Sequence, residues 1–163
     1  MTPEQADYVK NAVRGTKIDD IGCGYSPFRP IVHPSGCDYL GIDKEKISHG
    51  NVIQFDLSKP CPHLRYDIAL VSWPLNRRSI AWHLFLRRYK EIIYIGKNTD
   101  GIVCGDPEFW EIVGKREILK VIPDPAETLI HYGEKPRANQ PRPAEEAAAE
   151  ATWKNGKLTR FIP

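Results

Sequence analysis

The chain of 163 residues predicts an α/β fold, a doubly wound and mostly parallel sheet closed by a C-terminal antiparallel hairpin. Three observations carry that expectation. Residues 17–26 read as a short strand that runs into a Gly-x-Gly turn at Gly22 and Gly24. A second strand over 38–43 ends in Asp43, about 20 residues after the turn, where doubly wound folds place a carboxylate. The run 67–73 is the most continuous apolar stretch after the first strand, as a central parallel strand buried on both faces requires.

The elements follow in order. Thr2-Pro3-Glu4-Gln5 opens a helix, with a threonine cap, proline at the first helical position and glutamine where a capping box needs it. That helix should run to about Arg14, and Gly15 ends it. Ser26-Pro27 reads as a cap and first helical residue. Pro30 and Pro34 each remove a helical hydrogen bond, which shrinks the first crossover to one irregular turn. Residues 51–57 give a third strand, and Pro60-Cys61-Pro62 marks a loop. Residues 77–90 form a helix with Ile80 and Leu84 inward and arginines clustered at both ends. Those arginines suit solvated helix ends and are also compatible with a patch that touches nucleic-acid phosphates. Residues 91–96 are a fifth strand, and Asp106-Pro107-Glu108 caps a short helix through Val113. Strands over 117–122 and 128–132, joined by Pro123-Asp124-Pro125-Ala126-Glu127, make the closing hairpin.

Composition sets the bounds. The length fits one domain over 1–133, and from Glu134 the composition changes to a proline-rich linker, an alanine and glutamate segment and an Asn155-Gly156 turn. The tail over 134–163 carries Trp153 and Phe161, aromatic residues suited to docking back on the domain or to a protein partner. A net charge of +2 implies no strong electrostatic partner. Cys23, Cys37, Cys61 and Cys104 show no CxxC spacing and the chain opens on a polar segment, so reduced thiols and a cytoplasmic setting are expected. Cys61-Pro62-His63 has no second cluster to complete four ligands, so no metal is expected. No stretch of about 18 apolar residues exists, so no membrane span is expected.

The turn carries the chemistry. Glycines there let backbone amides approach a ligand, since a side chain would block the approach or forbid the backbone angle. In the nicotinamide fingerprint a third glycine follows three residues after the second, and that place is Pro27. A nicotinamide-dependent oxidoreductase is therefore disfavoured. Asp20, two residues before Gly22, is a poor neighbour for a pyrophosphate and a good one for an ammonium group. It points to a zwitterionic, amino-acid-like ligand head.

The ordered series Asp20-Ile21-Gly22-Cys23-Gly24, Leu40-Gly41-Ile42-Asp43, Val52-Ile53-Gln54-Phe55-Asp56-Leu57 and Tyr66-Asp67-Ile68-Ala69-Leu70-Val71-Ser72 resembles the motifs of class I S-adenosylmethionine-dependent methyltransferases. The resemblance covers roughly residues 15–133 and implies that family's seven-stranded sheet, with S-adenosylmethionine as cofactor. It implies that Asp20, Gly22 and Gly24 hold the methionine end, Asp43 the ribose and Asp56 the adenine amine, whose two donors a carboxylate can accept. Ser72, Trp73 and Asn76 would face the methyl group and the acceptor. Ser72-Trp73-Pro74-Leu75 keeps the serine and one proline of the motif used by nucleic-acid amino methyltransferases, but its aromatic residue comes too early to carry that specificity across. The alternative keeps the fold and drops the chemistry: a non-catalytic binding or regulatory module acting through the basic helix and the tail.

Overall fold

The computed structural model describes residues 1–24, 27–45, 51–56, 67–74, 89–99, 102–103 and 107–134. Ser26, Asn76, Cys61-Pro62-His63, the expected helix over 77–88 and everything after Glu134 lie outside the described residues.

Helix α1 (Pro3–Ala12) starts as its sequence requires. The Gln5 N–H donates to Thr2 Oγ1 at 3.2 Å and the Thr2 N–H donates to Gln5 Oε1 at 2.9 Å, so two orphan donors are satisfied reciprocally. The helix stops at a Val13 cap, slightly before the expected end, and Gly15 at φ 67° turns the chain into β1 (Lys17–Ile21). Next come helix α2 (Arg29–Val32), a 3₁₀ turn (His33–Ser35), then β2 (Asp38–Asp43), β3 (Val52–Gln54), β4 (Ile68–Ser72) and β5 (Glu91–Gly96). A small hairpin of β6 (Asn98–Thr99) and β7 (Ile102–Val103) precedes helix α3 (Pro107–Gly114), β8 (Glu117–Ile122) and β9 (Thr128–Gly133).

The large sheet has seven strands in the order β3-β2-β1-β4-β5-β9-β8. Counting these strands alone, the order is 3-2-1-4-5-7-6, with the last strand antiparallel to both neighbours. The order reverses between β1 and β4, and open α/β sheets bind ligands outside the carboxyl ends at such a point.

Both faces of the sheet are buried. On one, Val9 and Val13 of α1 and Phe28 and Val32 of the crossover cover Ile18 and Leu70. On the other, Phe109 and Val113 of α3 pack with Ile21, Val71 and Tyr94. The Tyr94 ring lies 5.6 Å from Phe109 and 5.1 Å from Trp110, centroid to centroid. Buried His131 ties α1 to the sheet, with Nδ1 2.8 Å from the Tyr8 hydroxyl and Nε2 2.9 Å from Glu91 Oε2. Burial pushes its pKa down while the Glu91 charge pulls it back up. A neutral ring protonated at Nε2 satisfies both neighbours. At the free edge, Ile118, Leu119 and Val121 of β8 are exposed, and a bulge between Ile118 and Lys120 breaks the flat template that another strand would need.

Three expectations change. The crossover helix begins at Arg29, with Phe28 rather than Ser26 as its cap and no side-chain cap bond. Pro30 and Pro34 fall at the second residues of α2 and of the 3₁₀ turn, and the crossover is the one irregular turn expected of them, four helical residues followed by three in the 3₁₀ turn. The third strand contracts from 51–57 to three residues, because β2 pairs with it only along Gly41, Ile42 and Asp43. Tyr89 and Lys90 are not helical: the Lys90 N–H donates to Asp67 O at 2.8 Å, and the buried Tyr89 hydroxyl donates to Asp19 Oδ2 at 2.8 Å. The β6–β7 hairpin was not foreseen.

Candidate functional site

The site is built at the carboxyl edge, where β1 stops. The Gly22 N–H donates to Ile42 O at 2.8 Å, and the chain then turns through Gly22 at φ 70° and Gly24 at φ 51°. Both angles lie in the left-handed region, where a side chain is strained. The Gly24 N–H donates to Asp43 Oδ2 at 2.8 Å and the Glu45 N–H donates to Asp43 Oδ1 at 2.9 Å. Asp43 therefore locks the glycine turn onto the end of β2. Each oxygen spends one lone pair on a backbone donor and keeps another for hydroxyl groups.

Asp20 is fully buried on β1, opposite Gly41. The Tyr39 hydroxyl donates to its Oδ2 at 2.6 Å, and its Oδ1 has no hydrogen-bond partner among the described residues. Burial pushes its carboxyl pKa up to about 7, against the Tyr39 hydrogen bond and with help from the Asp43 charge. A buried orphan acceptor of this kind calls for a donor or a cation.

Gly41 keeps this corner close. A Cβ there would stand 3.0 Å from Cys23 Sγ, 3.0 Å from Val52 Cγ2 and 3.2 Å from the Tyr39 hydroxyl. Gly41→Ala is expected to cost about 1–3 kcal/mol through overpacking, read as a lower urea midpoint at unchanged slope. An unchanged midpoint would show that the corner is looser than described.

Ser72 ends β4, half-buried and paired with Ile95. Because Asp20 pairs with Leu70, Ser72 is level with Gly22, the first residue past the end of β1. Trp73 follows at φ 46°, the one non-glycine residue with positive φ among those described. Its backbone N–H donates to Ile95 O at 2.7 Å and its indole Nε1–H donates to Glu127 Oε2 at 2.7 Å, while 44% of the residue stays exposed. Asp56 is exposed just beyond β3, brought towards Asp43 by the Phe55 N–H bond to Asp43 O at 2.6 Å. The structure thus gathers Asp20, Gly22, Gly24 and Asp43 at one turn, sets Ser72 and Trp73 beside them, and leaves Asp56 at the rim.

Two residues escaped the sequence reading. Tyr39 stands two places before Gly41, on the strand face that carries Asp20, so period-2 alternation could have found it. Glu127 sits in a proline-containing turn and carries no local signal.

The chain superposes on a TehB-like S-adenosylmethionine-dependent methyltransferase from Corynebacterium glutamicum with a TM-score of 0.59, at 16% identity, over 80% of this chain and 87% of that one. The fold is that of the class I methyltransferases. Magnesium protoporphyrin IX methyltransferase from Synechocystis PCC 6803, with bound S-adenosylmethionine, aligns with a TM-score of 0.58 at 15% identity over 81% and 79% of the two chains. A putative RNA methyltransferase from Pyrococcus horikoshii aligns with a TM-score of 0.57 at 12% identity over 83% and 82%. No protein-family model matches the sequence, and no curated protein matches it. The glycine turn and the end of β2 lie at the carboxyl edge beside the point where the strand order reverses, the place where open α/β sheets bind ligands. Among the described residues no helix is long and apolar enough to cross a membrane.

Proposed function

We propose that this chain binds S-adenosylmethionine and transfers its methyl group to an acceptor. The observation that carries the reading is the buried, unpartnered Oδ1 of Asp20 beside a glycine turn locked to Asp43. S-adenosylmethionine brings an ammonium group, a ribose diol and an adenine amine, all hydrogen-bond donors, and a carboxylate acceptor suits each. Asp20 takes the ammonium, Gly22 and Gly24 admit the methionine end to the backbone, Asp43 accepts from the ribose hydroxyls and Asp56 from the adenine. Ser72, Trp73 and Asn76 form the acceptor side.

When bound, the cofactor supplies a sulfonium methyl that is already electrophilic. The chain's own task is alignment: it holds the cofactor at the sheet edge and orients the acceptor beside β4. We place this activity in the domain over 1–133, with 134–163 as an appended tail, in a cytoplasmic setting that keeps Cys23 and Cys37 as free thiols.

A second reading, a binding module without catalysis, is favoured by the four-residue crossover helix. Calorimetric titration with S-adenosylmethionine and S-adenosylhomocysteine separates the two. Micromolar binding, about 8 kcal/mol, is expected, and Asp43→Ala should weaken it at least about tenfold by removing charge-assisted hydrogen bonds. No heat from either ligand in a folded protein would sink the methyltransferase reading and leave the module.

A further inference from the structure

Glu127 belongs to the turn between β8 and β9, yet its carboxylate reaches the carboxyl edge of β4. Its residue is buried, Oε2 accepts the Trp73 indole N–H at 2.7 Å, and Oε1 lies against the Met1 amino group. The turn that carries it is itself held. Buried Gln5 donates from Nε2 to Glu127 O at 3.1 Å and to Ile122 O at 3.2 Å, which clamps both ends of the turn to α1. Trp73 needs such support, because a bulky side chain at φ 46° persists only where its surroundings overdetermine it. Pro74 adds a constraint of its own, since the residue before a proline is kept from the right-handed helical region.

We propose that Glu127 is a positioning residue: it holds the Trp73 indole by its N–H edge so that the exposed part of the ring forms a fixed wall on the acceptor side. The inference rests on the methyltransferase reading for what that wall faces. It depends on geometry alone for the contact itself. A buried carboxylate gripping the one polar atom of an indole fixes the ring plane, which packing alone does not do for a residue left 44% exposed.

The test uses the full chain with 15N-labelled indoles. Its four tryptophans give four indole N–H signals, and Trp73→Phe assigns the one that matters. In Glu127→Leu the Trp73 signal should move upfield towards that of a solvated indole while the other three stay in place. Glu127→Gln, whose amide oxygen still accepts, should restore most of the shift. Added S-adenosylhomocysteine should move the Trp73 signal in the wild type and leave it nearly still in Glu127→Leu, although calorimetric affinity changes less than about threefold, because Glu127 is not among the groups that take the cofactor. A Trp73 signal indifferent to Glu127→Leu overturns the proposal, as does movement of all four signals together. An unchanged response to S-adenosylhomocysteine in the variant also overturns it. Absence of binding heat in a wild type that shows the expected Trp73 shift would fell the methyltransferase reading instead, and the positioning role with it, while the contact stands.

Discussion

Asp20→Asn is expected to weaken S-adenosylhomocysteine at least about a hundredfold and to abolish a proton release that the wild type shows below about pH 7. The affinity loss follows from removing one partner of a buried, charge-assisted pair, which costs about 3–5 kcal/mol. The proton follows from linkage. In the free chain burial raises the Asp20 pKa to about 7, so at about pH 6 the carboxyl is protonated. A ligand ammonium beside it favours the carboxylate, so binding expels the proton. Calorimetry at about pH 6 in two buffers of different ionisation heat should report nearly one proton released in the wild type and none in the variant, and the release should vanish near pH 8. Heat that does not depend on the buffer at pH 6 would remove Asp20 from the ligand.

The same group sets a stability slope. Its folded pKa is raised above the ordinary 3.8, so the stabilisation it confers is complete below about pH 4 and is lost as pH rises through about 7. At about 1.36 kcal/mol per unit, the loss is bounded near 4 kcal/mol. Asn at this position carries no such penalty, so the variant should exceed the wild type in stability at about pH 8. Lost binding with gained stability is what a strained functional carboxylate predicts.

Phe109→Ala is expected to cost about 3–5 kcal/mol, the range for deleting a buried aromatic ring. Phe109 is fully buried in α3 and touches both Tyr94 and Trp110, with the Trp110 ring 5.2 Å away at 80°. The cavity would open where α3 meets β5. Trp110 offers a contrast in the same helix. Its indole N–H is buried without a partner among the described residues, so Trp110→Phe removes an unsatisfied donor and should stay within about 1 kcal/mol of the wild type. Urea unfolding of both variants decides the matter: equal losses would mean that ring area alone governs this face.

The legible parts of the molecule were those set by local chemistry. The strands at Asp38–Asp43, Glu91–Gly96 and Glu117–Ile122 have the bounds expected from their apolar patterns and flanking turn residues. The capping box at Thr2 and Gln5 formed as written. That Asp20, Gly22, Gly24 and Asp43 meet at one corner was readable, because a glycine turn and a strand-end acid declare themselves within about 25 residues. β3 was overdrawn because a parallel strand is only as long as its neighbour allows, and no residue in 51–57 states where β2 stops. The crossover was legible in its length, one irregular turn, but not in its start: residues 26 and 27 look like a cap and a first helical residue, and the helix opens two places later at Arg29. The Trp73–Glu127 bond joins residues 54 positions apart, and no local pattern encodes it.

The reversal of β9 decides how the molecule can be held. Its last residue, Gly133, pairs with Glu91, the first residue of β5, and the Glu134 N–H donates to Lys90 O at 2.9 Å. The backbone therefore leaves β9 at the amino edge of the parallel strands, about 20 Å, or one six-residue strand, from the edge that carries Asp43 and Trp73. A handle attached at residue 134 would anchor the protein by the side away from that edge. Such an immobilised form turns the carboxyl edge, with Asp43 and Trp73, towards the solution, and a fluorophore at Glu134 reports on tumbling from the opposite edge.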